Sequence, residues 1–412
     1  MTVVASIGVA SVETIRARFP ALDRVHRGHP VAYFDGPGGT QVPAPVVDAM
    51  ADYLYHHNAN THWAYPSSVE TDRLIEEARA AVADFLNASA DEIAFGLNMT
   101  TLTFHLGRAL GREWTAGDEV IVTELDHHAN LAPWQALARE RGIVLRTVPL
   151  RTEDGTLDLS SLPALFGPRT RLLALGAASN VLGTVNDVAA ACARARQAGV
   201  LSFVDAVHAA PHLLTDVRAA GCDFLACSAY KFYGPHVGIL WGRRERIEAL
   251  DLPRLIPVPD TAPERLETGT QNHEGIIGAG AAVEFLASLG SGATRRARLA
   301  SAYAELHRRG RDLFNALWDG LRGERRIRLY GPPPDAPRTP TVSLTIEGTR
   351  AEAVARALAE RGLFLSHGDF YAPTVLERYG RLEEGFVRAG CACYTTGDEV
   401  ARLVEELRRL SR

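Results

Sequence analysis

Between residues 70 and 290 the chain alternates short apolar runs with helical stretches, and this alternation restricts the fold more than any other feature of the sequence. The runs are "EVIVTEL" (119–125), "IVLRTV" (143–148), "RLLALG" (171–176), "VLSFVD" (200–205), "CDFLACS" (222–228) and "VGILWG" (237–242). Few of them show the polar alternation of a strand with one wet face, so they read as strands buried on both sides of a mainly parallel sheet. The intervening "LAPWQALARERG" (131–142) and "VNDVAAACARARQAG" (185–199) close on glycine, a C-terminal helix stop. Strand and helix in alternation predict an α/β domain with helices on both faces of the sheet.

The alternation stops near residue 290. A long helical stretch follows, "ATRRARLASAYAELHRRGRDLFNALWDGL", and then three strand candidates, "PTVSLTI" (340–346), "GLFLS" (362–366) and "VRAGCACYT" (387–395). With "TRAEAVARALAER" and "GDEVARLVEELRRL" as covering helices, these predict a small antiparallel α+β unit. A chain of 412 residues exceeds one ordinary core, which agrees with two units. The expected division is 31–290 for the large α/β domain and 291–412 for the small one. Residues 1–30, with the helix-like "SVETIRARFPAL", are expected to pack on the small domain.

Composition removes several function classes. No run of about 18 apolar residues is present to span a bilayer, and the N-terminal "MTVVASIGVASVET" lacks a basic leader, so a cytoplasmic protein is expected. Five cysteines, Cys192, Cys222, Cys227, Cys391 and Cys393, form no CxxC pair and argue against a disulfide framework or structural zinc. The net charge is -5, and basic clusters such as "GRRER" (242–246) and "RRAR" (295–298) lack interleaved aromatics, so no nucleic-acid partner is expected.

Open α/β sheets bind ligands at the carboxyl ends of their strands. Four strands end in polar groups: "DHHAN" (126–130), "AASNVLGT" (177–184), "DAVHAAPH" (205–212) and "SAYK" (228–231). Asp126, His127, His128, His208 and His212 are candidate metal ligands, but Pro211 interrupts the His208–His212 spacing and no HExxH is present. Covalent amine chemistry fits better. Pyridoxal phosphate needs a lysine for its aldehyde, an acid for its ring nitrogen, a flat group over the ring and donors for its phosphate. Lys231, Asp205 and His127 supply the first three; Thr100, Thr101 and Ser228 are phosphate candidates, the threonines at a helix start in "NMTTLTFHLGRAL".

In this order the chain resembles the class V aminotransferase group of pyridoxal-phosphate enzymes, in particular its cysteine desulfurase and selenocysteine lyase branch. Seven blocks carry the resemblance: "YFDGPGGTQVP", "GDEVIVTELDHHANLAPWQ", "SNVLGTVND", "VDAVHAAPH", "SAYKFYGPHVGILWG", "ETGTQNHEGIIGAGAAVEFL" and "VRAGCACYTTGDEVARLVEEL". It implies the fold type I of pyridoxal-phosphate transferases, with a mainly parallel seven-stranded sheet and a small C-terminal α+β domain. It further implies that Lys231 forms the Schiff base, Asp205 meets the ring nitrogen, His127 covers the ring, and Asn180 lies near its hydroxyl. Ser228, Thr100 and Thr101 serve the phosphate; Thr270 resembles the residue that reaches the neighbouring subunit's phosphate, implying a homodimer with shared sites. Arg388 matches the arginine that grips the substrate carboxylate, and Gly38 and His62 are expected beside the substrate.

The chain departs from the pattern at His208, where glutamine is usual, at Tyr230, where histidine is usual, and in the glycines of "YFDGPGGT". In "GLFLSHGDFYAP" Tyr371 stands where such desulfurases carry the sulfur-accepting cysteine, and a phenol forms no persulfide. Cys391 and Cys393 are expected as core cysteines that alternate along one strand. The expected reaction is β-elimination from cysteine or an S-substituted cysteine, with Tyr371 protonating the leaving sulfur. Alternatives are a transaminase, decarboxylating deaminase or epimerase with the same cofactor, a metal-dependent hydrolase, and a non-catalytic dimeric binding protein.

Overall fold

The computed structural model describes residues 8–412, so the first seven residues of the expected 1–30 segment lie outside the described part. Seven strands form the large sheet: β1 (Ile93–Gly96), β2 (Glu119–Thr123), β3 (Val144–Val148), β4 (Thr170–Gly176), β5 (Leu201–Asp205), β6 (Phe224–Ser228) and β7 (Gly238–Gly242). Their order is β1-β7-β6-β5-β4-β2-β3, and β7 alone runs antiparallel to its two neighbours. The six apolar runs are six of these strands. The seventh, β1, was not among the expected strands, because "IAFG" is short and follows a long amphipathic helix.

Alternate residues of each strand enter opposite cores. Leu173, Leu175, Val204 and Leu225 pack in one layer, and Leu172, Ala174, Phe203 and Phe224 in the other. Helices α1 (Pro66–Leu86) and α4 (His273–Ser288) cover the first layer through Val82, Phe85, Ile276 and Val283. Helices α2 (Met99–Gly111) and α3 (Ala132–Arg141) cover the second through Leu102, Leu106, Trp134 and Leu137. Apart from the largely exposed edge strand β3, both faces are dry, and each fully buried Leu or Phe contributes roughly 1.5–3 kcal/mol, which is why the inner strands carry no polar alternation. Gly142 closes α3 in the left-handed region at φ 70°.

The C-terminal part holds α5 (Arg295–Leu321) and a four-stranded antiparallel sheet of β8 (Ile327–Tyr330), β9 (Thr341–Ile346), β10 (Ser366–Gly368) and β11 (Phe386–Gly390), in the order β8-β9-β11-β10. Helices α6 (Ala351–Ala359) and α7 (Gly397–Leu410) pack on it through Val354, Leu358, Leu403 and Leu407. Two expectations are corrected here. The "GLFLS" run splits: Leu363–Phe364 pairs in parallel with Ala32–Tyr33, and only Ser366–Gly368 joins the small sheet. Strand β11 ends at Gly390, so Cys391 and Cys393 lie in the turn beyond it. The short helix Val12–Arg16 is tied both ways, by an Ala10 N–H bond to the Leu289 carbonyl and by an Arg16–Glu399 ion pair at 3.0 Å. Among the described residues no helix is long and apolar enough to cross a membrane.

Candidate active site

The carboxyl ends of β2, β4, β5 and β6 and the start of α2 surround a cavity of about 570 Å³. Ten of the residues singled out in the sequence line it: Thr100, Thr101, Asp126, His127, Asn180, Asp205, His208, Ser228, Tyr230 and Lys231. They come from separate segments because parallel strands deliver their following loops to one edge of the sheet.

Lys231 closes a short 3-10 turn after β6 and is buried. Its Nζ donates to the carbonyls of Pro37 at 2.5 Å and Gly38 at 3.0 Å, and lies 5.0 Å from the Tyr230 ring centre. Burial, aided by the Arg388 charge, brings its pKa down to about 7. A substantial share of the amine is therefore unprotonated at neutral pH, the state a nucleophile requires. Asp205, the last residue of β5, is buried, and its Oδ1 accepts the Val207 N–H at 2.9 Å. Burial raises that carboxyl to about 6, which leaves it mostly ionised at pH 7.

His127 caps the turn after β2, its Nδ1 accepting the Ala129 N–H at 3.0 Å. Burial and the nearby Lys231 and Arg388 charges lower its pKa to about 4, so the ring is neutral with its proton on Nε2. Asn180 donates through Nδ2 to the Phe370 carbonyl at 2.9 Å, while its Oδ1 is buried without a partner. His208 places Nε2 3.0 Å from Thr339 Oγ1 and 3.3 Å from Thr341 Oγ1, and burial drives its pKa well down. The Tyr230 ring lies flat against His236, at 5.0 Å and 13°.

At the start of α2 the Met99 N–H goes to Ser228 Oγ at 3.0 Å and the Thr101 N–H to the Asn98 cap at 2.9 Å. Among the described residues the Thr100 N–H has no partner, which leaves a free donor at the positive end of a 13-residue helix. The Thr101 hydroxyl is engaged in the cap, donating to the Asn98 carbonyl at 2.9 Å. Gly238 lets β7 pass this helix start, since a Cβ there would lie 2.6 Å from Asn98 Cα.

Arg388, at the centre of β11, borders the cavity residues by donating to the Asn180 carbonyl at 2.9 Å and to Ser366 Oγ at 3.1 Å. Its guanidinium lies 4.1 Å from the Phe370 ring centre, and its Nε is buried without a partner. A Cβ on Gly38 would come within 3.4 Å of Arg388 Nη2. Tyr371 stacks on His127 at 5.6 Å and 29°, and the residue is 73% exposed. Phe370 and Tyr371 both sit at φ 56°, held there by the Asn180 bond and by the His128 N–H on the Tyr371 carbonyl at 2.6 Å.

The structure does not bring Thr270 or His62 into this cavity. Thr270 is exposed on the loop before α4, and His62 is exposed with Nδ1 3.3 Å from Asp72. Cys391 and Cys393 border a different cavity of about 420 Å³, and burial holds both thiols at about 12. Among the described residues no group of three or more His, Cys, Asp or Glu is placed to hold a metal ion. Sequence reasoning missed Asp35, whose buried Oδ1 has no partner and whose pKa burial raises, and it assigned Asp126 only to a metal set. Asp126 carried a similar signal to Asp205, an acid at or just after a strand's carboxyl end.

Residues 32–403 match the family Aminotransferase class-V. The chain belongs to that family. It is 34% identical to a cysteine desulfurase of Pectobacterium atrosepticum and 36% identical to one of Klebsiella pneumoniae, over 97% of this chain and 98% of each relative. The apo cysteine desulfurase of Thermococcus onnurineus superposes with a TM-score of 0.87 at 28% identity, covering 97% of this chain and 98% of that one. The Escherichia coli cysteine desulfurase in its S-sulfonic acid form gives 0.84 at 29% identity, over 98% of both chains. This class-V chain is thus a pyridoxal-phosphate enzyme of the cysteine desulfurase type. The cavity fits that cofactor: it offers a buried amine, the buried acids Asp126 and Asp205, a flat neutral ring, an unpartnered Asn180 Oδ1 and the free Thr100 N–H at the start of α2.

Proposed function

We propose that the protein is a carbon-sulfur β-lyase acting on cysteine or an S-substituted cysteine, and that it works without a sulfur-accepting thiol. The observation that carries this reading is Tyr371, which stacks on the cavity-lining His127 while both C-terminal cysteines border another cavity. When bound, pyridoxal phosphate would supply an electron sink for the bonds at the substrate α-carbon.

The residues divide the remaining work. Lys231 Nζ anchors the cofactor and moves the α-proton, a task suited to an amine held near pH 7. Asp205 supplies the negative charge for the ring nitrogen, and His127 covers the ring face in its neutral form. Ser228, Thr100 and the α2 N-terminus receive the phosphate. Arg388 turns its guanidinium to the substrate carboxylate, kept flat by the Phe370 ring beneath it, a contact of about 2 kcal/mol when desolvated. Tyr371 Oη gives a proton to the departing sulfur. Substrate and water then yield pyruvate, ammonia and a thiol or sulfide.

Incubation of the holoenzyme with cysteine and with S-alkyl cysteines tests this directly. Pyruvate and thiol are expected in equal amounts, independent of any keto acid; keto-acid dependence, or neither product, overturns it. Tyr371→Phe is expected to lower kcat by about 10²-fold or more while leaving KM within a few-fold. An unchanged kcat removes Tyr371 from the proton path.

We further propose a homodimer. Tyr55, Trp63, Leu97 and Ile256 form exposed apolar surface, and Thr270 and His62 are also exposed outside the cavity, the placement required of groups that serve a partner's site.

A further inference from the structure

Asp126 is the one cavity-lining carboxyl without a part in the reading above. It follows β2, is 3% exposed, and its Oδ1 accepts the Gly176 N–H at 2.6 Å. Gly176 ends β4 and is the register partner of Asp205 on β5, so Asp126 grips the strand end beside the ring-nitrogen acid. A side chain at 176 would remove this contact, because a Cβ there would lie 2.7 Å from Asp126 Oδ1. The other oxygen, Oδ2, is buried, and the neighbouring side chains of Thr123 and the fully buried Asn130 favour the charged form without outweighing burial.

Two carboxyls buried side by side do not both ionise. Asp205 faces Asp126 from β5, His127 follows it on its own loop, and Lys231 enters the same cavity from the turn after β6. Lys231 and Arg388 bear on His127, and Lys231 also offsets the charge of Asp205, whereas Asp205 is the charged group that bears on Asp126. Burial and the Asp205 charge push Asp126 up to about 8, above Asp205 at about 6.

We propose that Asp126 is a positioning residue kept as a neutral carboxylic acid, which pins the Gly176 strand end and leaves Asp205 the sole anion at the cofactor's ring-nitrogen end. This rests on the assignment of Asp205 to the ring nitrogen. A neutral acid there holds the strand by a hydrogen bond without a second negative charge to compete for the proton Asp205 must retain on the ring.

The isosteric variant separates charge from shape. Asp126→Asn is expected to hold pyridoxal phosphate within about threefold of the wild type, whereas Asp126→Ala, which leaves the Gly176 N–H unpaired, loses about tenfold or more. Equal losses in both variants overturn the proposal, since the negative charge would then be the needed feature. In the apo protein, Asp126 favours the fold while protonated, and that contribution is lost as pH rises from about 4 to 8. The folding constant of Asp126→Asn should therefore gain on the wild type by up to tenfold per pH unit in that window; parallel curves overturn the proposal. Should the variants not fold, infrared spectra of the wild type decide: a protonated-carboxyl band titrating near pH 8, and surviving Asp205→Asn and Asp35→Asn, is expected, and its absence overturns the proposal. The apo measurements are independent of the reaction catalysed, so their failure is distinct from failure of the lyase assignment.

Discussion

Lys231 gives the residue scale its clearest test. The side chain is inserted where ionisation is costly, between the Pro37 and Gly38 carbonyls and within reach of the Arg388 field. Its folded pKa of about 7 lies below the unfolded value of about 10.4, so the unfolded chain binds the extra proton between these limits. Stability of the apo protein from this group is therefore lowest below pH 7 and rises with pH above it, by up to about 1.4 kcal/mol per unit. Denaturant unfolding of apo wild type and Lys231→Met at pH 7, 8 and 9 should show the wild type gaining on the variant. The same variant should lack a reducible lysine adduct and all activity. The lysine itself was readable from the sequence as one member of a set. Its two carbonyl partners were not, because Pro37 and Gly38 lie more than 190 residues away and meet it only in the fold.

At the scale of elements, the end of the site proposed to receive the phosphate depends on how closely β7 passes the start of α2. Gly238 makes that approach possible, with a would-be Cβ at 2.6 Å from Asn98 Cα and against the Asn98 carbonyl. Gly238→Ala should destabilise the protein by about 2–3 kcal/mol through overpacking and should raise the cofactor dissociation constant, measured by thermal unfolding and by fluorescence titration. The contrasting element is the strap Asp369–Tyr371. Two consecutive non-glycine residues at φ 56° are held by Asn180, His128 and the Arg388–Phe370 contact, so this segment is pinned on both sides. Six of seven sheet strands followed from apolar runs, five of them because burial on both faces writes itself into composition and the exposed edge strand β3 because its run is rich in β-branched residues. The short β1 escaped because four residues carry too little pattern, and the "GLFLS" run was misjudged because one continuous run serves two sheets.

At the scale of the whole molecule, the exposed apolar residues Tyr55, Trp63, Leu97 and Ile256 predict self-association, Ile256 being 95% exposed. Light scattering is expected to give a mass near twice the 44.6 kDa chain for the wild type and a shift toward monomer for Ile256→Asp. A monomeric wild type would leave Thr270 and His62 without the shared-site role the family resemblance implies for Thr270. The sequence by itself determined the α/β class and the strand ends, carrying His127, Asn180, Asp205 and Lys231, that meet at one edge of the sheet, because these depend on local burial and on residue order. Tertiary structure alone decided that the C-terminal cysteines turn to another cavity, that Phe370 lies beneath Arg388, and that Asp126 shares a buried corner with Asp205. Those are distances between segments far apart in the chain, and the charge state of a buried acid is set by its neighbours in space.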